Sequence, residues 1–206
     1  MEIPKVIHHS FIQLSENPAI YIDPFKAPGS LLYADYILIT HGHYDHLSLP
    51  DINKLLKPST KLVIPQSCKN QVATLSNEIL FVIPGKTYSL DEIEIYTIPA
   101  YNLNKSNHPR SNNWVGYVVT VNDKKYYHAG DSDLVPEMES LKNLEIDFAF
   151  FPVGGTFTMN AKEAAGAANL IKPKIAIPIH YGSVVGSKQD AEEFAKLYKG
   201  PVKILL

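Results

Sequence analysis

Cysteine is all but missing from this chain. One residue, Cys68, in 206 excludes an intrachain disulfide and any CxxC metal knuckle, and it reads as a small, partly buried residue at the start of a helix. Charge of one sign is not in excess either. Nineteen Lys and Arg against 21 Asp and Glu leave a net charge of -2, which gives no bulk attraction to phosphate backbones or anionic lipid. Nucleic acid is therefore not expected as an obligate partner, and a small-molecule substrate is. No run of 18 apolar residues and no basic amphipathic helix occurs, so no membrane partner is expected. The segment Met1-Glu2-Ile3-Pro4-Lys5 lacks the basic start and apolar stretch of a leader, which favours a cytoplasmic protein. There is no low-complexity segment, short repeat or obvious linker. At 45% hydrophobic residues, positions 1–206 suit a single domain, with self-association left open.

Histidine is what the chain has in an informative place. Three of its eight histidines and one carboxylate fall within Thr40-His41-Gly42-His43-Tyr44-Asp45-His46, directly after the apolar run Tyr36-Ile37-Leu38-Ile39. At this composition an H-x-H-x-D-H match is expected by chance roughly 0.0006 times, so a metal site is the better reading. Side chains two apart on a strand share a face, so His41 and His43 can converge on one ion as the chain leaves the sheet. Asp45 and His46 fall in the turn beyond and can face a second ion.

Apolar and alternating runs predict strands at 6–14, 19–22, 36–40, 61–64, 79–83, 93–98, 115–121, 125–127, 148–151, 175–179 and 202–205. Helices are expected at 48–56, 67–75, 134–144, 160–171 and 187–198. Early strands joined by hairpins and later strands joined through helices imply a layered α/β sandwich. The stretch 100–113 has no periodicity and is a candidate wall of a functional site.

Metal ligands belong at the open ends of rigid elements, and three further residues qualify. Asp131 follows the strand of Tyr126-Tyr127-His128 in a glycine turn, where a carboxylate can bridge two ions. His180 ends the apolar run Ile175-Ala176-Ile177-Pro178-Ile179, and His108 lies in the Asn-rich loop. Assembled, the set is His41, His43 and His108 on one ion, Asp45, His46 and His180 on the other, and Asp131 shared. Asp23, before Pro24, is a candidate acceptor for the second N–H of a bound histidine. His9 and His128 are candidates to orient ligands or relay protons, and Tyr101 and Tyr181 to line the pocket. Lys105 and Arg110 could grip a phosphate or carboxylate, and Gly154-Gly155 could offer backbone amides to an anion.

In this order, H-x-H-x-D-H, a histidine, G-D-[ST] and a histidine after a late apolar strand, the sequence resembles the metallo-β-lactamase superfamily over nearly its whole length. It is most similar to the branch containing ascorbate-6-phosphate lactonase and the N-acyl-phosphatidylethanolamine-hydrolysing phospholipase D. There a histidine near the start and an I-D-P-[FW] segment precede the metal motif, as His9-Ser10-Phe11-Ile12 and Ile22-Asp23-Pro24-Phe25 do here. The resemblance implies a four-layer αββα sandwich, the metallo-β-lactamase fold, with the metals at one edge. One departure stands out. The third histidine follows its strand as P-A-x-H in that branch, whereas here Pro99-Ala100 leads to Tyr101-Asn102 and the histidine comes at 108. With His108 turned to solvent, the first ion would keep His41, His43 and Asp131, and a one-metal enzyme could result.

Imidazoles and carboxylates without thiolate suit Zn²⁺, Mn²⁺ or Fe²⁺, and zinc is the expectation. Two such ions lower the pKa of a bridging water from 15.7 towards roughly 7, making hydroxide the expected nucleophile. Asp45 and Asp131 are then the catalytic carboxylates. No G-x-S-x-G elbow occurs. The expectation is a dinuclear metal-dependent hydrolase cleaving an ester-like bond, phosphodiester or lactone, in a small anionic molecule. The alternatives are a nuclease acting on RNA or DNA and a metal- or ligand-binding protein without turnover.

Overall fold

The computed structural model describes residues 3–206. Met1 and Glu2, where the segment read for a leader begins, lie outside the described residues. The chain forms two compact units, one running to Val82 and including Leu206, the other Ile83–Leu205.

The first unit is a six-stranded mixed sheet. Its strands, in spatial as well as chain order, are β1 (Lys5–His8), β2 (Phe11–Glu16), β3 (Ala19–Ile22), β4 (Tyr36–Leu38), β5 (Lys61–Pro65) and β6 (Glu78–Val82). The first three pair antiparallel, and β3 to β6 pair parallel. The expected strand 6–14 is thus two strands. His9, at φ +56°, and Ser10 turn the chain back between them, a break that no Gly, Pro or Asn in the run announces. Parallel strands are buried on both faces, which is why Ile37-Leu38 and Leu62-Val63-Ile64 are apolar without alternation. Helix α1 (Leu49–Leu55) links β4 to β5, with Pro50 in its first turn where a missing N–H costs nothing. The helix expected at 67–75 is a 3-10 segment, Gln66–Val72, that buries only Cys68 and Val72, too narrow an apolar stripe to hold an α-helix.

The second unit repeats the plan. Strands β7 (Thr87–Leu90), β8 (Ile93–Pro99), β9 (Val115–Val121) and β10 (Lys124–His128) form an antiparallel meander, and β11 (Phe148–Pro152) and β12 (Ile175–Ile179) add in parallel beyond β10. The half-exposed, polar β7 has no sequence signal and was not expected. Pro178 sits in β12, at the sheet's edge, where a strand tolerates the lost donor. Positions 202–205 form no strand; Val202 makes a single parallel bridge to Ala176. Two α-helices follow expectation closely, α2 (Ala161–Ile171) and α3 (Lys188–Leu197). Asn160 Oδ1 accepts from the Glu163 amide at 2.9 Å while Glu163 accepts from the Asn160 amide at 2.9 Å, a reciprocal cap. The inner face of α2 is Ala161, Ala164, Ala165, Ala168 and Ile171, small enough to lie close on a core that includes Phe151, Met138 and Phe194. The helix expected at 134–144 is a 3-10 segment, Pro136–Leu141, whose buried Met138 and Leu141 are three apart, the 3-10 repeat. No helix among the described residues is long and apolar enough to cross a membrane.

Candidate metal centre

Asp23, His41, Asp131 and His180 each follow the carboxyl end of a strand with a parallel neighbour, where an open α/β sheet offers its ligand sites. In the first unit Asp23 follows β3 and Thr40-His41 follows β4, the two ends tied by the Asp23 amide donating to Leu38 O at 3.0 Å. Asp23 is fully buried at φ +50°, a backbone state a non-glycine residue keeps only when its surroundings hold it there. Its Oδ1 accepts from the Thr40 amide at 2.7 Å, and its Oδ2 accepts from the Thr40 hydroxyl at 2.6 Å and faces His46 Nδ1 at 2.7 Å. These contacts decide two tautomers. With a carboxylate as partner, His46 donates from Nδ1, which leaves Nε2 as the ligand atom of the neutral ring. Thr40 has spent its proton on Asp23, so at 3.0 Å its oxygen accepts from His41 Nδ1–H, and Nε2 is the ligand atom of the neutral His41 ring.

His41 Nε2 lies 3.1 Å from His43 Nδ1. Their convergence does not come from the strand pleat, since β4 ends at Leu38; a turn beyond it, in which the His46 and Leu47 amides donate to His43 O, brings them together. That same turn carries Asp45 back, with Oδ2 3.7 Å from His46 Nε2 and 3.4 Å from His9 Nε2. His9, buried in the hairpin turn of β1 and β2, is therefore beside the carboxylate itself.

In the second unit Asp131, His108 and His180 come together. Asp131 Oδ2 is 3.3 Å from His108 Nε2 and 3.1 Å from His180 Nε2. Asp131 is placed by the Gly130 turn, at φ +64°, whose amide donates to His128 Nδ1 at 3.0 Å. His128 thus anchors the turn. His180 follows β12 at φ +60°, and His108 is buried despite its loop setting, its ring edge-on to Trp114. The reading with His108 in solvent does not hold.

Other candidate residues pack or pair within the fold. Tyr101 sits in the core with its hydroxyl donating to Glu137 at 3.0 Å; burial, then Glu137, push its pKa up. Tyr181 is likewise a core residue. Lys105 pairs with Asp133 at 2.5 Å, and Arg110 pairs with Glu137 at 2.7 Å while its guanidinium stacks over Tyr101, so neither is held out for an anion. The amides of Gly155 and Thr156 donate to Met159 O and Gly154 O, so this turn offers them to no anion. Gly154 is required for another reason: a Cβ there would stand 2.7 Å from the carbonyl of His180. Sequence reasoning missed Thr40 and Asn102, polar residues that carry no metal-ligand signal of their own.

The donors fit a divalent transition ion. Atoms bound to one tetrahedral ion at about 2.1 Å stand roughly 3.4 Å apart. The pairs within each unit, from 3.1 to 3.7 Å, match that spacing. All are nitrogens or carboxylate oxygens, and all but His43 belong to buried residues. Residues 2–180 match the β-lactamase superfamily domain. The chain belongs to the β-lactamase superfamily. Within this superfamily, a UPF0173 metal-dependent hydrolase of Pyrococcus furiosus is 32% identical over 212 residues, spanning 96% of this chain and 92% of its own. A Parabacteroides distasonis protein provisionally described as a metal-dependent hydrolase has a crystal structure with TM-score 0.85 and 32% identity, covering 98% of this chain and 91% of that one. Igni18, a metallo hydrolase of Ignicoccus hospitalis, shares the fold at TM-score 0.77 and 22% identity, covering 98% of this chain and 93% of its own. The two mixed sheets with their helices are thus the expected metallo-β-lactamase fold, and the chain is a metal-dependent hydrolase of that superfamily.

Proposed function

We propose that this hydrolase is dinuclear, with His41, His43 and His108 serving one ion, Asp45, His46 and His180 the other, and Asp131 shared, and that it cleaves an ester-like bond in a small anionic molecule. The observation that carries the reading is Asp131, one of whose oxygens is faced by two histidines that the motif order assigns to different ions. When bound, the ions lower the pKa of water held between them and polarise the bond under attack. The chain's own contribution is to keep the ligand nitrogens bare and aimed. Asp23 does so for His46 directly and for His41 through Thr40. Asp45 and Asp131 are the carboxylates able to take a proton from water at the site. The anionic substrate rests on the charge of the ions, since Lys105 and Arg110 are paired elsewhere.

Zinc is the metal we favour, with manganese and iron as the alternatives. Elemental analysis of protein purified without added metal should give close to two transition ions per chain. A panel of chromogenic phosphodiesters, lactones and thioesters, run beside RNA and DNA, then assigns the bond. Hydrolysis of nucleic acid alone would make the chain a nuclease, and bound metal without turnover of any ester would make it a binding protein. Asp131→Ala should abolish turnover with the fold intact; full activity in that variant overturns the assignment of the shared ligand.

A further inference from the structure

The long spacing before the third histidine, Pro99-Ala100-Tyr101-Asn102 and then six more residues to His108, needs a device that returns the ring to its place. We propose that Asn102 is that device: a positioning residue that closes the loop on His108 and fixes its tautomer. The inference rests on His108 being a ligand, as in the dinuclear reading.

The amide of Asn102 has a determined orientation. Its Nδ2 donates to Asp133 Oδ1 at 3.1 Å and to Phe157 O at 2.9 Å, both obligate acceptors, so the oxygen faces the other way. That oxygen accepts from the His108 amide at 3.1 Å and meets His108 Nδ1 at 3.0 Å. A carbonyl oxygen can only accept. Nδ1 therefore carries a proton, which makes Nε2, 3.3 Å from Asp131 Oδ2, the ligand atom of the neutral ring. The backbone completes the closure, with the Asn102 amide donating to His108 O at 2.8 Å. Asp133 stakes the excursion, accepting from the Leu103 amide at 2.8 Å and from Lys105 Nζ at 2.5 Å, while Lys105 also donates to Thr158 O at 3.0 Å. Lys105, read from sequence as an anion grip, is a peg for this loop.

The test is the nitrogen-15 NMR spectrum of the histidine rings in chelator-treated wild type and Asn102→Ala, followed by zinc titration of both. Wild-type His108 should read as Nδ1–H with bare Nε2. In Asn102→Ala it should shift towards the Nε2–H form that a free imidazole favours, and one of the two ions should bind about 10- to 100-fold more weakly. A purely structural contact would lower stability and leave the tautomer alone. Should Asn102→Ala fail to fold, Asn102→Asp, which keeps an oxygen opposite Nδ1, should retain the Nδ1–H form. An Nε2–H ring in wild type, or an unchanged ring and unchanged affinities in Asn102→Ala, overturns the proposal. Wild type that binds no metal yet shows Nδ1–H would instead overturn the dinuclear reading and leave the positioning role standing.

Discussion

Asp23 Oδ2 holds His46 Nδ1 at 2.7 Å and the Thr40 hydroxyl at 2.6 Å, so one buried carboxylate orients two histidines that lie five residues apart in the metal motif. Replacing Asp23 by Ala leaves the Thr40 amide, the Thr40 hydroxyl and His46 Nδ1 without their acceptor in a setting with no access to water. We expect a loss of roughly 3 kcal/mol or more in stability and a 10- to 100-fold loss in metal affinity. Asp23→Asn should lose less stability, since an amide oxygen can still accept. Urea denaturation of the chelated proteins and zinc titration read the two effects separately. Wild-type metal affinity in Asp23→Ala would mean that the histidines aim themselves.

The ligand pattern was legible because metal chemistry is demanding about residue type and place: few sequences put His41, His43, Asp45 and His46 after a strand by accident. Strands such as Phe148–Pro152 were legible too, because this one is apolar throughout and stops at a proline. What orients the ligands was not. Asp23 meets Thr40 across 17 positions, and Lys105 meets Asp133 across 28, and pairings of that range leave no local pattern. Asn102 resembles any other loop asparagine until its two acceptors, Asp133 and Phe157, are seen. The turn at His9-Ser10 was hidden for a different reason: apolar residues flank it closely on both sides, no Gly, Pro or Asn stands in it, and only a residue held at positive φ marks the reversal.

Gly154 gives a second prediction. A Cβ at this position would lie 2.7 Å from the carbonyl of His180 and 2.9 Å from Val185 Cγ1. A side chain could yield, but a backbone carbonyl at the end of β12 cannot move without turning His180. Gly154→Ala should cost about 1–3 kcal/mol, as overpacking does, and should weaken metal binding in the same variant. A thermal melt and zinc titration indistinguishable from wild type would show that the strand end has slack.

Tyr127 offers a change in the opposite direction. Its hydroxyl is fully buried in the core of the second unit, burial drives its pKa strongly up, and among the described residues it has no hydrogen-bond partner. Tyr127→Phe removes a polar atom that has lost water and gained nothing. Stability should stay level or rise by about 1 kcal/mol. A fall of that size in the melting experiment would reveal a partner for the hydroxyl.

Asp51 links stability to pH. It stands in the first turn of α1 and gathers four donors: the amides of Lys26 and Ala27 at 2.9 and 3.0 Å, the Ser48 hydroxyl at 2.7 Å and Lys54 Nζ at 2.8 Å. Burial pushes its pKa up, but Lys54, Ser48 and the two amides together outweigh burial and leave it below its ordinary 3.8. A carboxylate whose folded pKa is depressed adds stability that is complete above its unfolded value. That stability drains away as pH falls through 3.8 towards the folded value. Asp51→Asn should therefore be about 2 kcal/mol less stable than wild type at pH 7. The gap should narrow as pH is lowered below 4, because wild type loses there what the variant has already lost. Urea midpoints of both proteins, measured with chelator present so that metal release cannot contribute, give the gap at each pH. Other carboxylates with lowered pKa, Asp35 and Asp147 among them, titrate alike in both proteins and cancel in the difference. A gap that stays constant from neutral to acid pH would mean that the loop from Lys26 depends on the shape of residue 51 and not on its charge.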